Sequence, residues 1–247
     1  MTRDRTPPPD DGTLLDGIDL VVFDKDGTLI DFHAMWGSWA RELGSRLEQS
    51  VGRPVAPDVF AALGFDPSSG RVAGGGPLAV GTMASMRDTV EAVIRRWCPN
   101  TAAARRATDA AWLEPDPVRD AVPLADLGAL FGSLAGSGRR TAVVTHDDRA
   151  PTDATLRVLG VRDEVGAIVA ADDGFALKPA PDAVLAVSAA LRVPPARIAV
   201  VGDTAADLEM GRAAGAGLLI GVLSGLGSRS DLERIADRVI PSIGLLA

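Results

Sequence analysis

The chain has 247 residues, 47% of them apolar, and a formal net charge of −8. That length allows one large domain or a core with an insertion, and the acidic balance argues against nucleic acid as a partner while leaving room for one small anion at a local positive spot. The lone Cys98 excludes a disulfide framework, no apolar run approaches the ~20 residues of a membrane span, and the N-terminus lacks the apolar stretch of a secretion signal, so a cytoplasmic protein without a membrane partner is expected.

Residues 1–16 read as a disordered tail. The first element is a short β-branched run, IDLVVF at 18–23, which has the character of a buried strand. It runs into Asp24, Lys25 and Asp26 and then Gly27, which permits a sharp exit that would let backbone N–H groups face an anion. The tail holds a near copy, PDDGTLLD at 9–16, but no apolar strand precedes it, so it carries no site. Residues 32–120 break the pattern. They show helical periodicity at 33–49 and 78–97, a Gly- and Pro-rich connection at 67–77, no convincing strand, no Lys and all four Trp. They are expected to form a helical domain inserted into a core of 17–31 and 121–247. Phe32, His33, Trp36 and Trp39 stand at its start, either lining a pocket or packed within the insertion.

Beyond the insertion, TAVVT (141–145), AIVA (167–170), RIAVVG (197–202) and GLLIGV (217–222) read as strands. Helical patterns cover about 150–159, 181–192 and 204–214, the last stopping at Gly215. Strands alternating with helices predict an α/β fold, a Rossmann-like parallel sheet with helices on both faces. Ligands of such sheets bind outside the carboxyl ends of the strands. The glycines of GAGLLIG (215–221) have the wrong spacing for a dinucleotide loop.

Four predicted strand ends carry polar groups. The first has Asp24 and Asp26, the second Thr145, the third leads to Lys178, and the fourth has Asp203 with Asp207 one helical turn on. Each has an ordinary structural reading: a turn exit, an N-cap, a solvated Lys, an acid at a helix start. Together they point elsewhere. Unpaired carboxylates at about 4 Å cost about 4 kcal/mol per pair at an effective dielectric of about 20. The cluster makes sense around a cation, and an oxygen-only site suits Mg²⁺. Of the 25 Lys and Arg residues only Lys25 and Lys178 are Lys. A Lys kept in so Arg-rich a background marks a site that needs a compact ammonium. Strand alternation turns Lys25 away from the metal.

The order and context of these motifs resemble the haloacid dehalogenase-like hydrolase superfamily over nearly all of 18–240. LGVRDEVGAIVAADD (159–173), LKPAPD and GDTAADLEMGRAAGAG look like its phosphoglycolate-phosphatase-like branch, and an insertion after the first motif looks like the family's helical C1 cap. The resemblance implies a phosphatase. Asp24 would be the nucleophile that forms an aspartyl-phosphate, and Asp26 the general acid and then base. Mg²⁺ would be held by Asp24, the Asp26 carbonyl and Asp203, with Asp207 and Thr28 in support. Gly27, Thr145, the N–H of His146 and Lys178 would hold the phosphoryl group. Family dehalogenases lack an acid at the place of Asp26, and phosphonate-cleaving relatives need a cap Lys, absent from 32–120. A small phosphorylated metabolite is the expected partner, with the chain a monomer or homodimer. A phosphotransferase or mutase sharing the intermediate, and a non-catalytic phosphate-binding domain, are the alternatives.

Overall fold

A computed structural model describes residues 14–247 apart from 82, 114, 117 and 118. The chain opens with β1 (Leu20–Phe23) and then enters helices α1 (Phe32–Val51) and α2 (Ala56–Leu63), the hairpin strands β2 (Phe65–Asp66) and β3 (Arg71–Val72), and helices α3 (Pro77–Val80), α4 (Met83–Ile94) and α5 (Thr101–Ala111). It returns through α6 (Leu127–Gly136), β4 (Arg140–Val144), α7 (Arg149–Val158), β5 (Val165–Val169), α8 (Asp182–Leu191), β6 (Ile198–Gly202), α9 (Ala205–Ala214), β7 (Leu218–Val222), α10 (Arg229–Glu233) and β8 (Arg238–Ile240).

The strands β5-β4-β1-β6-β7-β8 form one sheet in that order, and every pairing in it is parallel. Alternation divides the apolar strand residues between two cores. Val21, Phe23, Val143 and Val201 pack on one face with Leu130 and Phe131 of α6 and Leu156 of α7. Leu20, Val22, Val144 and Val200 pack on the other with Val184 and Val187 of α8 and Leu208 of α9. This is the expected Rossmann-like sheet. Its order sets the carboxyl ends of β4, β1 and β6 side by side, so residues far apart in sequence meet there.

A third apolar cluster lies within 32–111 and includes Trp39, Leu43, Val59, Met86, Val90 and Ala104. The helix α1 starts at Asp31, whose carboxylate caps the Ala34 N–H at 3.0 Å, and ends at Gly52, φ 70°. Trp39 is fully buried, donates its indole N–H to the Leu113 carbonyl, and meets Trp36 and Trp112 edge to face. These rings build the inserted unit's core.

Several expectations need correction. The insertion does contain strands: Asp66 accepts from the Ser68 N–H and from the hydroxyls of Ser68 and Ser69, and Gly70 turns at φ 72°, closing a hairpin of two residues a side. So short a pairing leaves no alternation to read. The helical pattern at 78–97 is two helices broken at Gly81. The helices α2, α5 and α6 and the edge strand β8 go unread in the sequence; α5 is mostly Ala, Arg and Thr, and its apolar stripe is thin. Most of the expected tail, residues 1–13, lies outside the described residues, but Leu15 is buried in the sheet's core and its carbonyl accepts from Arg139, so the folded unit begins earlier than 17. Among the described residues no helix is long and apolar enough to cross a membrane.

Candidate active site

Asp24 follows β1 directly and Asp203 follows β6, so the parallel pairing of these strands sets the two carboxylates against each other. Asp207 comes from the first turn of α9, where it completes a capping box: Thr204 gives it both its N–H at 3.0 Å and its hydroxyl at 2.5 Å. Carboxylate oxygens of Asp24, Asp203 and Asp207 lie within 4.8 Å of one another. Lys178, on the segment between β5 and α8, puts its ammonium 2.6 Å from Asp24 Oδ1 and 2.6 Å from Asp207 Oδ1, with only 3% of its side chain exposed. Three clustered carboxylates thus face one ammonium, which leaves the group short of positive charge and suited to a hard divalent cation.

The titration shifts have the same origin. Burial pushes Asp24 up to about 7, against the pull of Lys178. Burial and then the charges of Asp24 and Asp207 raise Asp203. Burial works against the charged form of Lys178, but Asp207 and Asp24 outweigh it and its pKa is raised. A cation among the acids would favour their charged forms again.

The space is cleared by glycine. Gly27 turns at φ 86°, and a Cβ there would lie 2.6 Å from Asp203 Oδ2. A Cβ on Gly225, in the loop after β7, would overlap the same carboxylate. That loop also binds Asp203 through the Leu226 N–H at 2.7 Å and holds the Gly27 carbonyl through the Ser224 hydroxyl at 2.7 Å.

The sequence model of haloacid dehalogenase-like hydrolases matches residues 18–215. The chain belongs to that hydrolase family. A phosphoglycolate phosphatase of Rhodospirillum rubrum is 29% identical over 201 residues, which is 81% of this chain and 78% of that protein. Among solved structures, a subfamily IA hydrolase of the superfamily from Geobacter sulfurreducens superposes with a TM-score of 0.62 at 17% identity, over 92% of this chain and 94% of that one. A family hydrolase from Deinococcus radiodurans with bound phosphate and sodium gives 0.61 at 21% identity, over 93% of each chain. These likenesses show the shared fold.

Within this hydrolase the predicted site residues fall as follows. Asp24, Lys178, Asp203 and Asp207 come together. Asp26 stands beside them but bonds elsewhere: its Oδ1 takes the Lys25 ammonium at 2.8 Å, and burial, opposed by Lys25, raises its pKa. Lys25 indeed turns away from the three-acid group, and it pairs as well with Asp147 at 2.9 Å. Asp147 therefore does not cap α7, and Asp148, which occupies the cap position, makes no side-chain cap bond. Thr145 is buried at the end of β4 and its hydroxyl oxygen accepts the Asp147 N–H at 3.1 Å, which leaves its own O–H to donate. His146 follows it, exposed and within the field of Lys178. Thr28 is fully buried, and its hydroxyl has no partner among the described residues.

Gly27 departs from expectation. Its N–H donates to the Ile30 carbonyl at 2.8 Å and so does not face an anion; its part is the room it leaves for Asp203. His33 is packed. Its Nδ1 accepts the Val72 N–H at 3.1 Å, so Nε2 carries the proton and donates to the Gly225 carbonyl at 3.2 Å. Burial and the nearby Arg71 keep it below its ordinary pKa and neutral. It ties α1 and the hairpin to the loop around Asp203. Sequence reasoning offered Asp147 only as a helix cap and missed that loop. Applying the strand-end rule to LSGLG after β7 is the signal that finds the loop.

Proposed function

We propose that this hydrolase cleaves a small phosphomonoester, with Mg²⁺ held by Asp24, Asp203 and the Asp26 carbonyl and with Asp207 in support. The observation that carries the reading is the Asp24–Lys178–Asp207 group beside Asp203, with Asp26 two residues on. Mg²⁺ bound there would neutralise the carboxylates and the phosphoryl oxygens.

The protein's own groups supply the rest. An oxygen of Asp24 attacks phosphorus and forms an aspartyl-phosphate; the bond to the alcohol oxygen breaks, and that oxygen takes its proton from Asp26. Asp26, now a carboxylate, accepts a proton from water as the water oxygen attacks phosphorus, the Asp24–phosphorus linkage breaks, and inorganic phosphate leaves. Lys178 and the Thr145 hydroxyl donate to the phosphoryl oxygens, and Lys178 has a third N–H beyond those facing Asp24 and Asp207. Such transfer depends on positioning and charge neutralisation. The raised pKa of Asp26 suits a group that must first hold and then return a proton. The expected result is hydrolysis of 4-nitrophenyl phosphate in Mg²⁺ that stops in excess chelator and returns with added metal. Equal turnover with and without chelator contradicts the metal assignment.

Substrate choice is assigned to residues 32–120 as a cap over the core that precedes and follows them. The separate apolar cluster of the insertion and its His33 tie to the loop around Asp203 support this. The strand-end groups handle only the phosphoryl group, so the leaving group must be read by what covers them. The substrate is of the phosphoglycolate or sugar-phosphate type, and the phosphoglycolate phosphatase of Rhodospirillum supports the first of these. Replacing 34–118 with a short linker should leave slow aryl-phosphate hydrolysis and erase preference among phosphorylated metabolites. The check is the kcat/KM ranking over a metabolite panel; a ranking that survives cap removal contradicts the assignment.

A further inference from the structure

Lys25 lies between the two acids of the first motif and is 1% exposed, although it is a Lys in a chain that otherwise uses Arg almost everywhere. It reaches two carboxylates that come from different strand ends: Asp26 Oδ1 at 2.8 Å, after β1, and Asp147 Oδ2 at 2.9 Å, after β4. Asp147 is itself anchored. Its N–H donates to the Thr145 hydroxyl oxygen at 3.1 Å, and its carbonyl accepts the Ala171 N–H at 2.9 Å, beyond β5. A continuous polar chain therefore runs from Asp26 through Lys25 and Asp147 to Thr145. Without the ammonium, Asp26 and Asp147 would lose the one donor that bridges them, and Asp26, at 20% side-chain exposure, would be free to swing toward water.

We propose that Lys25 is a positioning residue for the acid–base step: its ammonium fixes the Asp26 carboxylate in place and ties it to the loop that carries Thr145. This rests on the role given to Asp26 above. A compact ammonium with three donors fits between two carboxylates in a closed space, where a planar guanidinium would need a matching fork. The chain's two lysines then have parallel tasks. Lys178 bridges Asp24 and Asp207, and Lys25 bridges Asp26 and Asp147.

The leaving group supplies the test. Nitrophenolate departs without a proton, whereas phenolate departs much more slowly without one, so misplacing the acid penalises phenyl phosphate selectively. The measurement is kcat/KM, which covers the first chemical step, for phenyl and 4-nitrophenyl phosphate in Mg²⁺ with wild type, Lys25→Met and Asp147→Asn. Lys25→Met should lose about 100-fold or more on phenyl phosphate, a loss at least about tenfold greater than on 4-nitrophenyl phosphate. Asp147→Asn should shift the ratio the same way by less. Equal losses on both substrates, or none on either, overturn the proposal, because a merely structural Lys would not sense the leaving group. If circular dichroism shows that Lys25→Met does not fold, Lys25→Gln and Asp147→Asn carry the same comparison. Wild type without Mg²⁺- and Asp24-dependent turnover sinks the proposed function and this inference together; such turnover with an unchanged substrate ratio in the variants sinks this inference alone.

Discussion

Asp24→Asn should leave a folded protein with turnover reduced at least about a thousandfold. The amide keeps the shape of the carboxylate at the end of β1 but cannot attack phosphorus, and it removes one of the three clustered charges. Burial already disfavours the charge at this position, so the neutral amide should be tolerated by the fold. Circular dichroism and thermal melting check the fold, and steady-state hydrolysis checks the activity. Beryllium fluoride should inhibit the wild type by imitating a phosphorylated Asp24 and should not bind the variant. A variant that keeps more than about a thousandth of wild-type activity excludes the covalent route, since loss of a nucleophile costs far more than that.

Lys178→Arg should also fail, by about 100-fold or more in kcat/KM. Lys178 meets Asp24 and Asp207 at 2.6 Å each from a side chain with 3% exposure. A guanidinium keeps the charge but is larger and planar, and it cannot set one nitrogen between both acids while offering a further donor to the phosphoryl group. Its intrusion should displace Asp24, and an error of about 1 Å in a nucleophile can cost about 100-fold. Full activity in the Arg variant would show that a positive charge alone suffices there.

The parts of the site that follow the strand-end rule were legible in the sequence. Asp24, Asp203 and Thr145 each end a strand with an apolar run before it, and the parallel order of β4, β1 and β6 brings them together as such a sheet requires. The scarcity of Lys singled out both Lys25 and Lys178, and both prove to be buried between paired carboxylates. The rest depends on contacts that no local pattern encodes. Alternation gives the direction of Lys25 but not its partner Asp147, which lies beyond a different strand. Gly27 shows the limit of reasoning from residue type: the sharp exit it permits is legible, but whether its N–H meets a ligand or Ile30 is decided by how the turn closes. The hairpin at Phe65–Val72 is held by Asp66 and two serines rather than by apolar alternation, so it reads as a loop. The Ser224–Leu226 loop binds Asp203 through the Leu226 backbone N–H, which any sequence supplies, and reaches the Gly27 carbonyl through the Ser224 hydroxyl, a contact across 197 residues that no local pattern encodes.

In the proposed reaction the phosphoryl group passes through Asp24. The most direct measurement quenches the enzyme in acid during turnover, reduces it with borohydride, and maps the peptides by mass spectrometry. Borohydride converts an acyl phosphate to an alcohol, so the aspartyl-phosphate account predicts homoserine at position 24, present with substrate and Mg²⁺ and absent with either omitted. Reduction at another residue, or active enzyme that shows no homoserine while substrate is being consumed, would contradict it.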